Sequence, residues 1–258
     1  MQQGVVCHGQ DIVRNNMDAR VEKNPPVVSR DLAIRLQDLY VTLGSRAGPV
    51  EILKGMDLGI ESGQSVSIIG PSGSGKTTLL MVIAGLEAAT RGEVQVAGQS
   101  LLGLNEDKLA EYRRDHIGIV FQSFHLIPAM TALENVAVPL ELRGTRDAFA
   151  KAQDQLERVG LSHRLTHYPG QLSGGEQQRV AIARAIAAGA RIILADEPTG
   201  NLDQETGQSI MDLLFDLQSG SKTTLILVTH DPALAKRCSR IIEIRDGLIH
   251  SDRRASAA

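Results

Sequence analysis

Gly70-Pro71-Ser72-Gly73-Ser74-Gly75-Lys76-Thr77-Thr78 follows an apolar, β-branched run at 65–69 and opens the apolar segment Leu79-Leu80-Met81-Val82-Ile83. A strand that ends in a glycine-rich loop, with a helix starting on that loop, is an arrangement that cradles phosphate. The glycines let the main chain turn its N–H groups inward, and the helix N-terminus adds a partial positive charge at the same place. Lys76 then has the reach and charge to meet β- and γ-phosphates. The Thr77 hydroxyl suits a Mg²⁺ ion, and Thr78 is placed for the α-phosphate.

Outward from this loop, short β-branched runs recur at 65–69, 117–121, 192–195 and 224–229, with helical patterns between several of them. Such alternation predicts an α/β fold with a mostly parallel sheet covered by helices on both faces. Before the loop, 34–41 and 52–60 alternate in short stretches around Gly44-Ser45-Arg46-Ala47-Gly48-Pro49, which predicts an antiparallel β region opening the domain. From 124 to 189 helical signals dominate, at 133–142, 146–159 and 174–188, so a helical subdomain is expected there as an insertion into the sheet domain. A final hairpin, 240–244 and 248–250, is expected to turn at Asp246-Gly247. The polar stretch 1–30, with Asn24-Pro25-Pro26, reads as a mobile extension, 31–250 as the folded domain and 251–258 as a tail.

Ile192-Ile193-Leu194-Ala195-Asp196-Glu197 is a buried-strand pattern ending in two carboxylates, where open α/β sheets place their ligands. Asp196 suits Mg²⁺ through a water molecule, and Glu197 suits an attacking water. Leu172-Ser173-Gly174-Gly175-Glu176-Gln177 is a second loop-to-helix start, with Ser173 and Glu176 at capping-box spacing. Taken with the phosphate loop and the strand-ending Asp-Glu, this segment resembles one superfamily, the ABC ATPases, over about residues 31–250.

The resemblance implies roles at matching positions. Gln122, after the run 117–121, is similar to the family's Q-loop residue, which senses Mg²⁺ and links the nucleotide to a permease. His230 is similar to the switch histidine that contacts the γ-phosphate, and Asn201-Leu202-Asp203 to a D-loop in which Asp203 crosses a dimer interface. In that family two subunits pack head to tail as a homodimer on ATP, and Ser173, Gly174 and Gly175 of one would clamp the phosphate held by the other. The family generally stacks adenine on an aromatic residue upstream of the phosphate loop. Here the register suggests Leu43 at that position, and Tyr40, three residues earlier, is the aromatic candidate.

Within the superfamily, Phe121-Gln122-Ser123-Phe124-His125-Leu126-Ile127-Pro128, Thr131-Ala132-Leu133-Glu134-Asn135-Val136 and Ala195-Asp196-Glu197-Pro198-Thr199-Gly200-Asn201-Leu202-Asp203 are similar to the lipoprotein-releasing, macrolide-export and YbbA-like group. That likeness implies ATP and Mg²⁺ as ligands and an integral membrane permease of FtsX/MacB-like type as partner. Phe124, Leu126, Ile127 and Met130 would either line the groove that receives the permease or belong to the core of the helical subdomain. A non-transport ABC ATPase and a nucleotide-gated regulator remain alternatives, although long heptad arms and a second cassette are absent and Glu197 and His230 are both present.

Composition narrows the rest. With 42% hydrophobic and 22% charged residues over 258, the chain has the makings of a packed core. A net charge of −3 lacks the cationic excess that nucleic acid rewards, so no nucleic acid is expected as partner. The most apolar region, 180–195, is interrupted by Arg184 and Arg191, so no segment is expected to span a bilayer. Residues 1–13 carry no secretory pattern. The expected location is cytoplasmic, peripheral on the inner face of the cell membrane. Cys7 and Cys238 read as incidental thiols.

Overall fold

The computed structural model describes Met1 and residues 31–46, 48–221 and 223–254. Of the expected extension 1–30, residues 2–30, with Cys7, lie outside the described residues, as do residues 255–258. β1 (Leu32–Ser45) and β2 (Gly48–Glu61) pair antiparallel, and the turn is tighter than the expected 44–49 loop, because Gly44 pairs with Pro49 and Ser45 with Gly48. Gly48 sits at φ 115°, a conformation glycine reaches without a steric cost, and this lets the ladder run up to the turn.

β3 (Ser65–Ile69) leads through the phosphate loop into α1 (Lys76–Ile83). β4 (Arg91–Val96), β5 (Gln99–Ser100) and α2 (Glu106–His116) come next. α2 buries only Tyr112 and therefore has no apolar stripe to betray it in sequence. β6 (Ile117–Phe121) precedes the helices α3 (Ala132–Leu142), α4 (Ala148–Arg158) and α5 (Gly174–Ala187), which pack on one another. β7 (Ile192–Asp196), α6 (Gln204–Ser221), β8 (Thr224–Val228), α7 (Pro232–Ala235), β9 (Arg240–Arg245) and β10 (Leu248–Arg254) complete the chain. β10 continues past the expected end of the domain at 250, held by an ion pair of Arg240 with Asp252 and by the Arg240 Nη1 bond to Gly59 O at 2.7 Å.

Two sheets result. The larger has the order β10-β9-β3-β8-β7-β6, parallel except for β10, and the smaller, antiparallel, has the order β2-β1-β4-β5. The central strands are apolar on both faces because each face has its own core. Ile192 and Leu194 of β7, with Ile226 and Val228 of β8, pack with β1, β2 and α1, whereas Ile193, Ala195, Leu225 and Leu227 pack with α3, α4, α5 and α6. α5 lies so close to β6 that a Cβ at Gly118 would stand 2.2 Å from Ala185 O. No helix among the described residues is long and apolar enough to cross a membrane.

Candidate active site

Strand register gathers the site into one row. Phe121 pairs with Asp196, Asp196 with Val228, and Val228 with Ile68. Gln122, Glu197, His230 and the loop from Gly70 therefore all leave the carboxyl edge of neighbouring parallel strands, the edge where open α/β sheets bind ligands.

The 70–78 loop is shaped by glycines whose side-chain directions are taken. A Cβ at Gly70 would stand 2.1 Å from Ile244 O, and one at Gly75 2.7 Å from Leu53 Cδ2, with φ at 150° and 101°. Gly73, at φ 77°, faces open space. The turn between β9 and β10 braces the loop, since the Gly247 N–H donates to Ser74 O at 3.2 Å. Pro71 and Ser72 are exposed on its outer side, and Lys76 Nζ bends back to donate to Gly70 O at 3.0 Å and Pro71 O at 2.8 Å. Ser74 Oγ is buried with no hydrogen-bond partner among the described residues. An open cradle with a cation over it and an orphaned hydroxyl inside it fits a polyphosphate. Thr78 is half-buried in the first turn of α1.

Beside the loop, Thr77 Oγ1 donates to Asp196 Oδ2 at 3.1 Å. Burial pushes the Asp196 carboxyl above the ordinary carboxylate range, against the pull of the Thr77 hydroxyl and the Lys76 charge. A half-buried carboxylate so poorly compensated, paired with a hydroxyl, suits a cation that also takes phosphate oxygens, as Mg²⁺ does. Among the described residues no cluster of three or more His, Cys, Asp and Glu could hold a metal ion.

Glu197 takes φ 47°, and its main chain is tied by Glu197 N–H to Val228 O at 3.0 Å. Its carboxylate lies 2.7 Å from Nδ1 of His230, so two residues that follow different strands form one dyad, with His230 exposed and Glu197 largely covered. Gln122 is clasped by Asn201: Gln122 Nε2 donates to Asn201 Oδ1 at 3.2 Å, and Asn201 Nδ2 to Gln122 O at 3.1 Å.

Ser173 and Glu176 form the expected capping box, Ser173 N–H to Glu176 Oε2 at 2.8 Å and Glu176 N–H to Ser173 Oγ at 3.3 Å. The Ser173 N–H chiefly, with Arg164 adding to it, holds the Glu176 carboxyl below its usual value. Gly174 and Gly175 back onto Leu202, Phe124 and Thr206 of their own chain, not onto the 70–78 loop. Asp203 caps α6, accepting from the Thr206 N–H at 2.9 Å.

Tyr40, the aromatic candidate, lies on β1. Leu39 and Val41 on either side of it are fully buried in the core, and its own ring lies against Gly55 and under the Arg91 guanidinium, 4.9 Å from its centroid. Strand alternation turns the Tyr40 ring to the face opposite Leu39 and Val41, while Leu43 packs against the core cluster that also holds Leu79 and Leu80 of α1. Of the proposed groove residues, Ile127 is exposed, whereas Leu126 packs against the second core and Phe124 and Met130 are half-buried. Sequence reasoning counted Arg184 only as an interruption of an apolar run, whereas in the fold its guanidinium on α5 donates to the carbonyls of Phe124 and His125. A lone cation on the inner face of a helix was the available signal.

The described geometry has close counterparts. Residues 53–200 match the ABC transporter family profile. The chain is 46% identical over 221 residues to the ABC transporter ATP-binding protein YbbA of Escherichia coli (strain K12), covering 85% of this chain and 97% of YbbA. It is 44% identical over 223 residues to the lipoprotein-releasing system ATP-binding protein LolD of Legionella pneumophila (strain Lens), covering 86% and 98% respectively. The macrolide export ATP-binding/permease protein MacB of Bradyrhizobium diazoefficiens is 48% identical over 211 residues, which span 81% of this chain and 32% of MacB. Among solved structures, the dimeric post-hydrolysis state of the ATP-binding cassette MJ0796 with ADP and Pi superposes with a TM-score of 0.81 at 41% identity, over 87% of this chain and all of that one.

Proposed function

This chain belongs to the ABC transporter family and is an ATP-hydrolysing cassette, and from that premise we propose that it works as an ATP-closed homodimer driving a separate membrane permease. The supporting observation is the split of the site. The phosphate loop, Asp196, Glu197, Gln122 and His230 share one strand edge, whereas Gly174 and Gly175 face Leu202, Phe124 and Thr206 at the head of α5. A second copy placed head to tail supplies the missing half.

In this reading Lys76 and the inward N–H groups of 70–78 hold the β- and γ-phosphates. Thr77 and Asp196, with Gln122 nearby, would hold Mg²⁺. Bound there, the ion neutralises charge on the phosphate oxygens. Glu197 takes a proton from the water that attacks the γ-phosphorus, as the bond to the β-bridging oxygen breaks. His230 orients Glu197 through its Nδ1 contact and contacts the γ-phosphate. ATP binds the closed dimer better than the open one, and that difference does the mechanical work.

The names of the relatives support the lipoprotein-release and macrolide-export branch; in this reading the permease is of FtsX/MacB-like type and the chain lies peripherally on the cytoplasmic face. The test is purification of Glu197→Gln protein with MgATP from native membranes. Co-purification of an integral membrane protein with a large extracytoplasmic domain is the expected result. Recovery of ATP-dependent dimers with soluble partners alone would refute the transport assignment.

A further inference from the structure

The loop after β6 passes through an uncommon conformation. Phe124 and His125 both take positive φ, 61° and 47°, the left-handed region that bulky side chains enter at a cost and rarely twice in succession. Short main-chain bonds close the turn, Phe124 N–H to Phe121 O at 3.2 Å and His125 N–H to Ser123 O at 2.6 Å. The two carbonyls that follow are taken by one side chain. Arg184, half-buried on α5, donates through Nη1 to His125 O at 2.6 Å and through Nη2 to Phe124 O at 2.9 Å.

Burial depresses the Arg184 guanidinium's proton affinity, and no carboxylate among the described residues offsets that effect. A planar fork spans two carbonyls at once, which a point-like ammonium does not. The cation thus depends on the strained turn for its solvation, and the turn depends on the cation for its shape. From α3, buried Asn135 grips the same loop: its Oδ1 accepts from the Ile127 N–H at 2.8 Å, and its Nδ2 lies 3.0 Å from the carbonyls of Met130 and Thr131. The Phe124 ring reaches the start of α5, where a Cβ on Gly174 would stand 3.8 Å from Phe124 Cζ.

We propose that Arg184 is a positioning residue that fastens the loop after Gln122 to the body of α5, and that ATP-driven closure through Ser173, Gly174 and Gly175 at the head of that helix depends on its fork across the Phe124 and His125 carbonyls. The inference rests on the reading that residues 173–175 complete the partner's site. A helix moves as a rod, so a turn fastened to its body swings its N-terminus, and a turn that is lost leaves that end unsteered.

The experiment measures two quantities for full-length chains carrying Glu197→Gln: affinity of the monomer for a fluorescent ATP analogue with Mg²⁺, and ATP-driven dimerisation by sedimentation. Arg184→Lys keeps the charge but loses the fork. Its expected signature is nucleotide affinity within about twofold of the parent, dimerisation weakened about tenfold, and recovery when His125→Gly is added, because glycine holds φ near 47° without strain. Arg184→Gln, which keeps donors on a neutral amide, is read in the same way should the lysine variant not fold. Dimerisation equal to the parent's, or a loss that His125→Gly does not recover, overturns the proposal. A Glu197→Gln parent that stays monomeric with MgATP instead brings down the dimer reading itself, so the two failures are told apart by the parent.

Discussion

Replacing Asp196 by Asn should make the nucleotide-free protein more stable while disabling it. The carboxylate is half-buried, it accepts from the Thr77 hydroxyl at 3.1 Å, and burial raises its proton affinity above the ordinary value. Asparagine has the same shape and keeps an acceptor for Thr77, but carries no charge to desolvate. Relief of that kind is worth on the order of 1 kcal/mol, which in a domain of this size is about 2–4 °C in Tm. The sign with pH follows from linkage. The folded-state pKa lies above the unfolded value of about 3.9, so the native state holds its proton longer, and the carboxylate's destabilisation is absent below that value. It grows as pH rises through the folded pKa and is complete above it. Thermal unfolding without nucleotide should therefore show Asp196→Asn above wild type at pH 7 and level with it at pH 3. With ATP at about a hundred times its Kd, the ligand-linked gain of about 2.7 kcal/mol amounts to roughly 5–10 °C for wild type. In the variant the part of that shift that vanishes on chelating Mg²⁺ should be missing. An Asp196→Asn protein that melts below wild type at pH 7, or that keeps the full Mg²⁺-dependent shift, would refute the reasoning.

Three further outcomes are expected. His230→Ala removes the Nδ1 partner 2.7 Å from the Glu197 carboxylate, and should lower kcat roughly 100-fold with ATP affinity little changed, as steady-state ATPase and equilibrium binding would reveal. Tyr40→Ala should leave ATP affinity untouched and cost about 0.5–1 kcal/mol in urea unfolding through the lost Arg91 contact; a tenfold loss of affinity would restore Tyr40 to the adenine site. Gly118→Ala drives a Cβ to 2.2 Å from Ala185 O, main chain that cannot step aside, and should cost about 3 kcal/mol by urea midpoint at unchanged slope. A wild-type midpoint would mean that α5 stands further from β6.

Much of the site is legible along the chain because its parts are local. Gly70, Gly73 and Gly75 announce a loop that only a small residue can make, and Ser173 with Glu176 announces a helix start by spacing alone. β7 is evident as an apolar run, since both its faces are covered. α2 was invisible for the opposite reason, having only Tyr112 to bury, and β5, at two residues, was too short to show a period, whereas β4 does alternate, with Val94 and Val96 buried between exposed neighbours, and was passed over. Tyr40 was a plausible aromatic by position, but the pleat of β1 decides which way a ring faces.

Residue order by itself determined the phosphate loop, the strand-ending Asp196 and Glu197, the capped start of α5 and the succession of sheet and helix, because turn chemistry and hydrophobic period are set by near neighbours. Only the tertiary structure decided that Glu197 meets His230, that Asn201 clasps Gln122 and that Arg184 spans the carbonyls of Phe124 and His125. Those contacts join residues far apart in the chain. They exist because parallel strands align Phe121, Asp196 and Val228 in one row and because Gly118 lets α5 press against β6, and such register and close approach are properties of the packed sheet that no local stretch encodes.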